Sequence, residues 1–387
     1  MRAVAIGMSA MALFGCAPTG QVAPAPTAVT AADEARLRQA SAAVLFWSPQ
    51  QRLRNFPAME RVFPGHVVKA GRRVKPLPDG APLPLPQAEV DAFMAAQNVA
   101  GLIVVQDGKV RLERYALGYS REGRWTSFSV AKSVTSTLVG AAIRDGYIKS
   151  LDDPVTRYIP ELAGGGYDGV TVRQILTMTS GVRWNEDYTD PNSDVARMFA
   201  EPAPAGMDPT VAYMRKLPRA DQPGSKFVYK TGETNLIGVL VRRATGKPLA
   251  QYLSEKVWRR YGMERDAFWM TDQTGAEVSG CCLSVSLRDY ARIGMLTLDG
   301  GEGIVPAGWF ADATRTHVTF PGGGYGYQWW TFPGGYAAQG IFGQAILVDP
   351  ANRIVIAISG AWPKASDRAL SQARLAFAMK VQAAATR

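Results

Sequence analysis

Histidine is almost missing from this chain of 387 residues, which holds only His66 and His317. With no H-x-x-x-H pair and no CxxC, the usual ligand spacings of a zinc site are absent, and no metal or other cofactor is expected. No G-x-S-x-G occurs either, so a nucleophile elbow is excluded, and a serine–histidine triad would have to draw its base from one of two histidines. Cysteine is equally scarce, with Cys16 and the neighbours Cys281 and Cys282. Adjacent Cα atoms stand about 3.8 Å apart, short of the roughly 4.4–6.8 Å that disulfides usually span, so the pair is expected as two free, buried thiols. Beyond the N-terminus no stretch reaches the ~18 uninterrupted apolar residues that a membrane-spanning helix needs. The formal net charge is +10, but Lys and Arg are scattered without a dense run, which points away from a nucleic-acid partner.

What the chain does have begins at its N-terminus. Met1-Arg2 and the mostly apolar run Ala3–Gly15 read as a secretory signal over residues 1–15. It ends in Leu13-Phe14-Gly15-Cys16, which resembles a bacterial lipobox. The resemblance implies lipidation at Cys16 and export as a membrane-anchored lipoprotein facing the periplasm or the cell exterior. An ordinary signal peptide with an incidental cysteine is the alternative. Residues 16–45, rich in Ala, Pro and Thr at their start, are expected to form a tether, and 46–387 the folded domain.

Ser129-Val130-Ala131-Lys132 carries the chemistry. A hydroxyl and an amine at i, i+3 share one helical face, so a lysine whose charge is suppressed can take the serine's proton. Val130, Val134, Leu138 and Ala142 recur as the buried stripe of an amphipathic helix closing near Gly146. Ser129 then sits at the helix start, where free N–H groups favour an oxyanion, and burial of Lys132 lowers its pKa. The competing reading is a capping serine beside a solvated lysine.

Elsewhere, runs either side of Asp107-Gly108 predict a hairpin. Helical patterns cover 172–178, 235–245, 249–261, 287–298 and 366–383, and strand patterns 325–331, 345–348 and 354–359. Residues 46–98 look irregular and Pro-rich. Strands at both chain ends with helices between them predict an α+β fold: a sheet part from about 46–120 and 320–387, and a helical insertion at about 121–319.

This arrangement resembles the serine β-lactamase and penicillin-binding superfamily, and within it the class C-like esterases and 6-aminohexanoate-dimer hydrolases. The resemblance rests on Ser129-x-x-Lys132, Leu151-Asp152-Asp153-Pro154-Val155, Ile175-Leu176-Thr177-Met178-Thr179-Ser180-Gly181 and Tyr325-Gly326-Tyr327-Gln328-Trp329-Trp330, in that order. It implies a β-lactamase-like fold, an antiparallel sheet flanked by helices plus a mainly helical domain, and an acyl-enzyme at Ser129. Tyr229-Lys230-Thr231, which begins 100 residues after the serine, is similar to the family's tyrosine box. That makes Tyr229 catalytic with Ser129 and Lys132, and puts Thr231 at the substrate site where the family has an amide or a serine. Lys230-Thr231-Gly232 spells a Lys-Thr-Gly box, but it overlaps the tyrosine box and receives no such role. Ala338-Gln339-Gly340-Ile341 is the better third box, or else a plain glycine-rich edge strand. The resemblance then implies an oxyanion hole from the N–H groups of Ser129 and Ile341, with Gly340, Trp330 and the loop residue Tyr188 at the substrate. Ala338 stands where β-lactamases and D-Ala-D-Ala peptidases have a lysine, which argues against both activities. The implied function is hydrolysis of a small ester or linear amide. β-Lactamase or peptidase activity, and a catalytically weak scaffold or sensor, are the alternatives. Oligomeric state is not legible.

Overall fold

Twelve strands form two antiparallel sheets in the computed structural model, which describes Met1, residues 30–301 and residues 303–386. In chain order they are β1 (65–68), β2 (99–106), β3 (109–115), β4 (125–126), β5 (267–270), β6 (283–285), β7 (318–320), β8 (323–325), β9 (330–332), β10 (335–339), β11 (345–349) and β12 (354–360). The large sheet runs β3-β2-β12-β11-β10-β9-β8-β7, so strands from both chain ends meet at β2 and β12. Asp107 and Gly108 both take positive φ (49° and 75°), which matches the twist of the β2–β3 hairpin and fixes its register.

Both faces of the large sheet are covered. Leu102, Val104, Ile356 and Ile358 belong to the core shared with helices Gln87–Ala96 and Arg368–Ala385, where the Phe93 and Phe377 rings stack at 3.8 Å. The alternate residues Ile103, Val105, Val355 and Ala357 belong to the main core, which continues into the inserted helices. At the centre of that insertion the Val130–Arg144 helix is buried on every side from Val130 to Ala142, more than the expected single stripe. Two of its hydroxyls bond within the core, Ser133 Oγ donating to Gln328 O at 2.6 Å and Thr135 Oγ1 to Ser279 O at 2.9 Å, while Ser136 Oγ has no partner among the described residues.

Four expectations need correction. Residues 31–43, read as tether, form a helix with a Thr30–Asp33 capping box, docked against the Asp194–Ala200 helix. No residue of Ala31–Ala43 is fully buried, so it carries no hydrophobic periodicity. Residues 46–98 include helices Pro49–Asn55 and Gln87–Ala96. The insertion contains most of a second sheet, β1-β5-β6-β4. Cys281 and Cys282 are joined in a disulfide across a Cα separation of 3.8 Å. Cys282 has φ 66°, so a sharp backbone turn, outside the extended geometry assumed for neighbours, brings both sulfurs to one side. The signal segment and Cys16 lie outside the described residues.

Candidate active site

Ser129 occupies the N-cap of the Val130–Arg144 helix, and its side chain makes no capping bond. Ser127 holds the turn instead, its Oγ donating to Phe128 O and accepting from Leu283 N at 3.0 Å. Phe128 is in the left-handed region (φ 42°), and so is Phe342 (φ 61°), one residue after Ile341. Their rings pack 5.1 Å apart, so buried aromatic contact stabilises both unusual backbones and fixes Ser129 opposite Ile341. Among the described residues neither Ser129 N–H nor Ile341 N–H has an intramolecular acceptor, whereas Gly340 N donates to Gln344 O and Phe342 N to Ala365 O, each at 2.9 Å. A Cβ on Gly340 would come within 2.6 Å of Ser127 O, so only glycine permits this approach. Two free N–H groups beside a serine hydroxyl can receive an oxyanion.

Lys132 is 1% exposed. Its Nζ donates to Thr231 Oγ1 at 3.0 Å and to Gly280 O at 2.9 Å. Burial pulls its pKa down to about 8, partly opposed by the negative charge of Glu186. A neutral amine has two N–H donors, and both are engaged here, which leaves its lone pair for an incoming proton. Nζ also stands 5.4 Å from the centre of the Tyr229 ring. Burial chiefly, with the Glu186 charge adding to it, pushes the Tyr229 phenol well above its ordinary pKa, and hydrogen bonding with Ser129 opposes that rise. That shift favours a protonated phenol at Tyr229, and leaves Lys132 as the group with an available lone pair.

Thr231 does anchor the lysine, and Glu186 is the residue that sequence reasoning missed. Its carboxylate accepts from Thr231 N at 2.9 Å, Thr231 Oγ1, Tyr188 OH at 2.8 Å and Trp184 Nε1. A buried threonine in place of an amide was the available signal, because its hydroxyl needs a fixed acceptor before it can serve as acceptor for Lys132. Asn235, one turn along the Thr231–Thr245 helix, accepts from Gly280 N at 2.7 Å and so positions the other acceptor of Lys132.

A cavity of about 390 Å³ opens beside Ser129, and Tyr229, Tyr188, Trp330, Gly340 and Ile341 all line it. The Trp330 ring stacks on Tyr229 at 5.3 Å, while Trp329 is fully buried on the opposite side. Ala338 is buried in the core and Gln339 takes the cavity side of β10. A cation does reach this cavity from elsewhere: Arg374 of the C-terminal helix lines it, bonded to Gln339 Oε1 and lying 4.9 Å from the Trp362 ring centre. Arg374 is 5% exposed, its Nη2 bonds to the neutral Gln339 amide, and its Nη1 has no partner among the described residues. Burial lowers its pKa to about 10. Lys230 is held by Val228 O and Glu233, away from the cavity lining. His66 contacts Glu277, and His317 stacks on Tyr327, so neither histidine lines this cavity. No cluster of potential metal ligands occurs among the described residues.

A serine at a helix start, a buried lysine three residues on and free N–H groups facing it, set between a flanked antiparallel sheet and a helical insertion, define a serine-dependent acyl hydrolase. The β-lactamase family model matches residues 87–378, and the chain belongs to that family. It is 34% identical over 294 residues to the 6-aminohexanoate-dimer hydrolase of Paenarthrobacter ureafaciens, covering 69% of this chain and 73% of that one. Among solved structures, a candidate 6-aminohexanoate-dimer hydrolase from Bacillus anthracis superposes with a TM-score of 0.74 at 24% identity, covering 85% of this chain and 94% of its own. EstCE1, a hydrolase with promiscuous acyltransferase activity, superposes with a TM-score of 0.61 at 17% identity, covering 75% and 96%. The protein is an enzyme, a serine hydrolase of the β-lactamase family.

Proposed function

We propose that this enzyme cleaves a small linear amide or ester by acyl transfer to Ser129. The observation that carries the reading is Lys132, buried, lowered to about 8, and held by two neutral acceptors one helical turn from the serine. Ser129 Oγ bonds to the carbonyl carbon, and the serine proton passes to neutral Lys132 with the Tyr229 hydroxyl as relay. The N–H groups of Ser129 and Ile341 hold the oxyanion, and the bond to the leaving group breaks as that group receives the proton. Water then repeats the sequence on the acyl-enzyme and releases the acid.

Arg374 supports a substrate with a carboxylate on its leaving portion, as in a linear amide of an amino acid. A buried guanidinium with a free Nη1 gains a charge-assisted hydrogen bond from such a group. It stands on the C-terminal helix and not at Ala338, so a β-lactam carboxylate held close to its reacting ring meets no cation on β10. The test combines a fluorophosphonate probe, with mass spectrometry to locate the label, and turnover of nitrophenyl esters, linear amides and a chromogenic cephalosporin. Labelling at Ser129 with ester or amide turnover exceeding cephalosporin turnover is expected; absence of label and of turnover overturns the reading in favour of a scaffold. We also propose anchoring through lipidated Cys16, on the strength of the sequence before it. A Cys16→Ala protein should leave the membrane fraction with unchanged specific activity, and a wild type already soluble after export contradicts it.

A further inference from the structure

Ser129 lies between two chambers that differ in size and polarity. Besides the 390 Å³ cavity, a second one of about 40 Å³ meets the serine, and Ser129, Tyr188 and Ile341 line both. The small chamber is walled by Val44, Leu45, Val195, Phe199, Met270 and the Cys281–Cys282 disulfide. No acidic or basic residue lines it. Val44 and Leu45 directly follow the Ala31–Ala43 helix, so this wall comes from a segment outside the family match at 87–378. The disulfide follows Gly280, whose carbonyl holds Lys132, so the wall and the base are positioned by one turn.

The two sides of the scissile bond can be assigned to the chambers. The leaving group must receive a proton, and Tyr229, the hydroxyl nearest Ser129 in the relay, lines only the large chamber. The leaving group therefore departs there, and the acyl group faces the small one. We infer that the small apolar chamber is the acyl subsite and that the vicinal disulfide and the Val44–Leu45 segment restrict it to short, uncharged acyl groups of about two to four carbons. The size follows from the volume, since about 10–15 Å³ of such space accommodates one water-sized group and 40 Å³ takes about three. A six-carbon aminoacyl chain exceeds that room, and its ammonium would enter an apolar site without a partner. This inference rests on the acyl-enzyme reading above. It separates this enzyme's acyl preference from the name carried by its relative in Paenarthrobacter ureafaciens.

The test is a series of nitrophenyl esters from acetyl to octanoyl, with the leaving group held constant. Wild type, Leu45→Ala and Phe199→Ala are compared, each checked for folding by its melting temperature. In wild type kcat/KM should peak between acetyl and butyryl and fall at least tenfold by octanoyl, in line with roughly 10–200-fold per misfitted methylene in restrictive pockets. Both variants should move the peak to longer chains, and because they lie on different elements a common shift cannot come from one local distortion. Filling the chamber with Val44→Phe should lower butyryl turnover relative to acetyl turnover. A flat profile, or a peak at hexanoyl or beyond in wild type, overturns the inference while leaving the acyl-enzyme intact. Failure of every ester to acylate Ser129 overturns both readings together.

Discussion

Two lysines are sealed inside this protein, and their surroundings give them opposite roles. Lys132 and Lys230 are 1% and 0% exposed. Lys132 meets only neutral acceptors at contact distance, Thr231 Oγ1 and Gly280 O, so burial dominates and its pKa falls to about 8. Lys230 has a carboxylate, Glu233 Oε1 at 3.7 Å, and Val228 O at 3.1 Å. Burial pushes the Glu233 carboxyl up, and the Lys230 charge opposes that. The contrast is therefore one of partners. Lys132 faces neutral acceptors, with the nearest carboxylate one residue removed behind Thr231, whereas Lys230 has a carboxylate beside it at a helix start.

The sharpest break of this contrast is to remove each chemistry in turn. Ser129→Ala and Lys132→Ala should each lower ester hydrolysis by about 10⁴–10⁶-fold, the range seen when a nucleophile or its base is lost, with the melting temperature little changed. Appreciable activity in Lys132→Ala would remove the lysine from the mechanism. Lys230→Met should do the reverse. It leaves Glu233 buried without its partner, which costs about 3–5 kcal/mol in denaturant unfolding, while activity per folded molecule stays within a few fold of wild type. A catalytic collapse in a fully folded Lys230→Met protein would erase the distinction.

Tyr229→Phe should slow amide turnover by about 10²–10³-fold and nitrophenyl ester turnover much less, because an amine must be protonated as it leaves and a nitrophenolate need not be. Equal losses would place Tyr229 outside that step. The pH profile follows from the sign of the lysine shift. In the proposed mechanism Lys132 works unprotonated, so kcat/KM should fall about tenfold per unit below its pKa of about 8 and level off above it. A profile flat from pH 6 to 9 would show that the base titrates elsewhere. The smallest effects belong to His66→Ala and His317→Ala, which should keep ester turnover within a few fold, since both rings lie outside the cavities around Ser129.

The sequence by itself determined several local elements and the three-residue spacing of Ser129 and Lys132. The β2–β3 hairpin was legible from Asp107-Gly108, strands at 345–348 and 354–359 from their apolar runs, and the start of the central helix from Ser129 and the valines after it. These are local patterns, and local patterns are written in neighbouring residues. Tertiary structure decided what depends on distant residues meeting. Glu186 had no readable role until the fold carried Thr231 and Tyr188 to it. Arg374 carried no readable signal, and only burial beside Gln339 makes it a cation with an unpartnered Nη1 at the cavity among the described residues. The Ala31–Ala43 helix read as linker because it buries no full side chain, and its value lies in the neighbours it brings to Val44 and Leu45. The disulfide was misjudged for the same reason: the spacing of Cys281 and Cys282 is a sequence fact, but the turn at φ 66° that joins them is set by packing around β6 and Gly280. A pKa, a chamber and a turn are each sums over groups that the chain order keeps apart, so only the folded molecule could fix them.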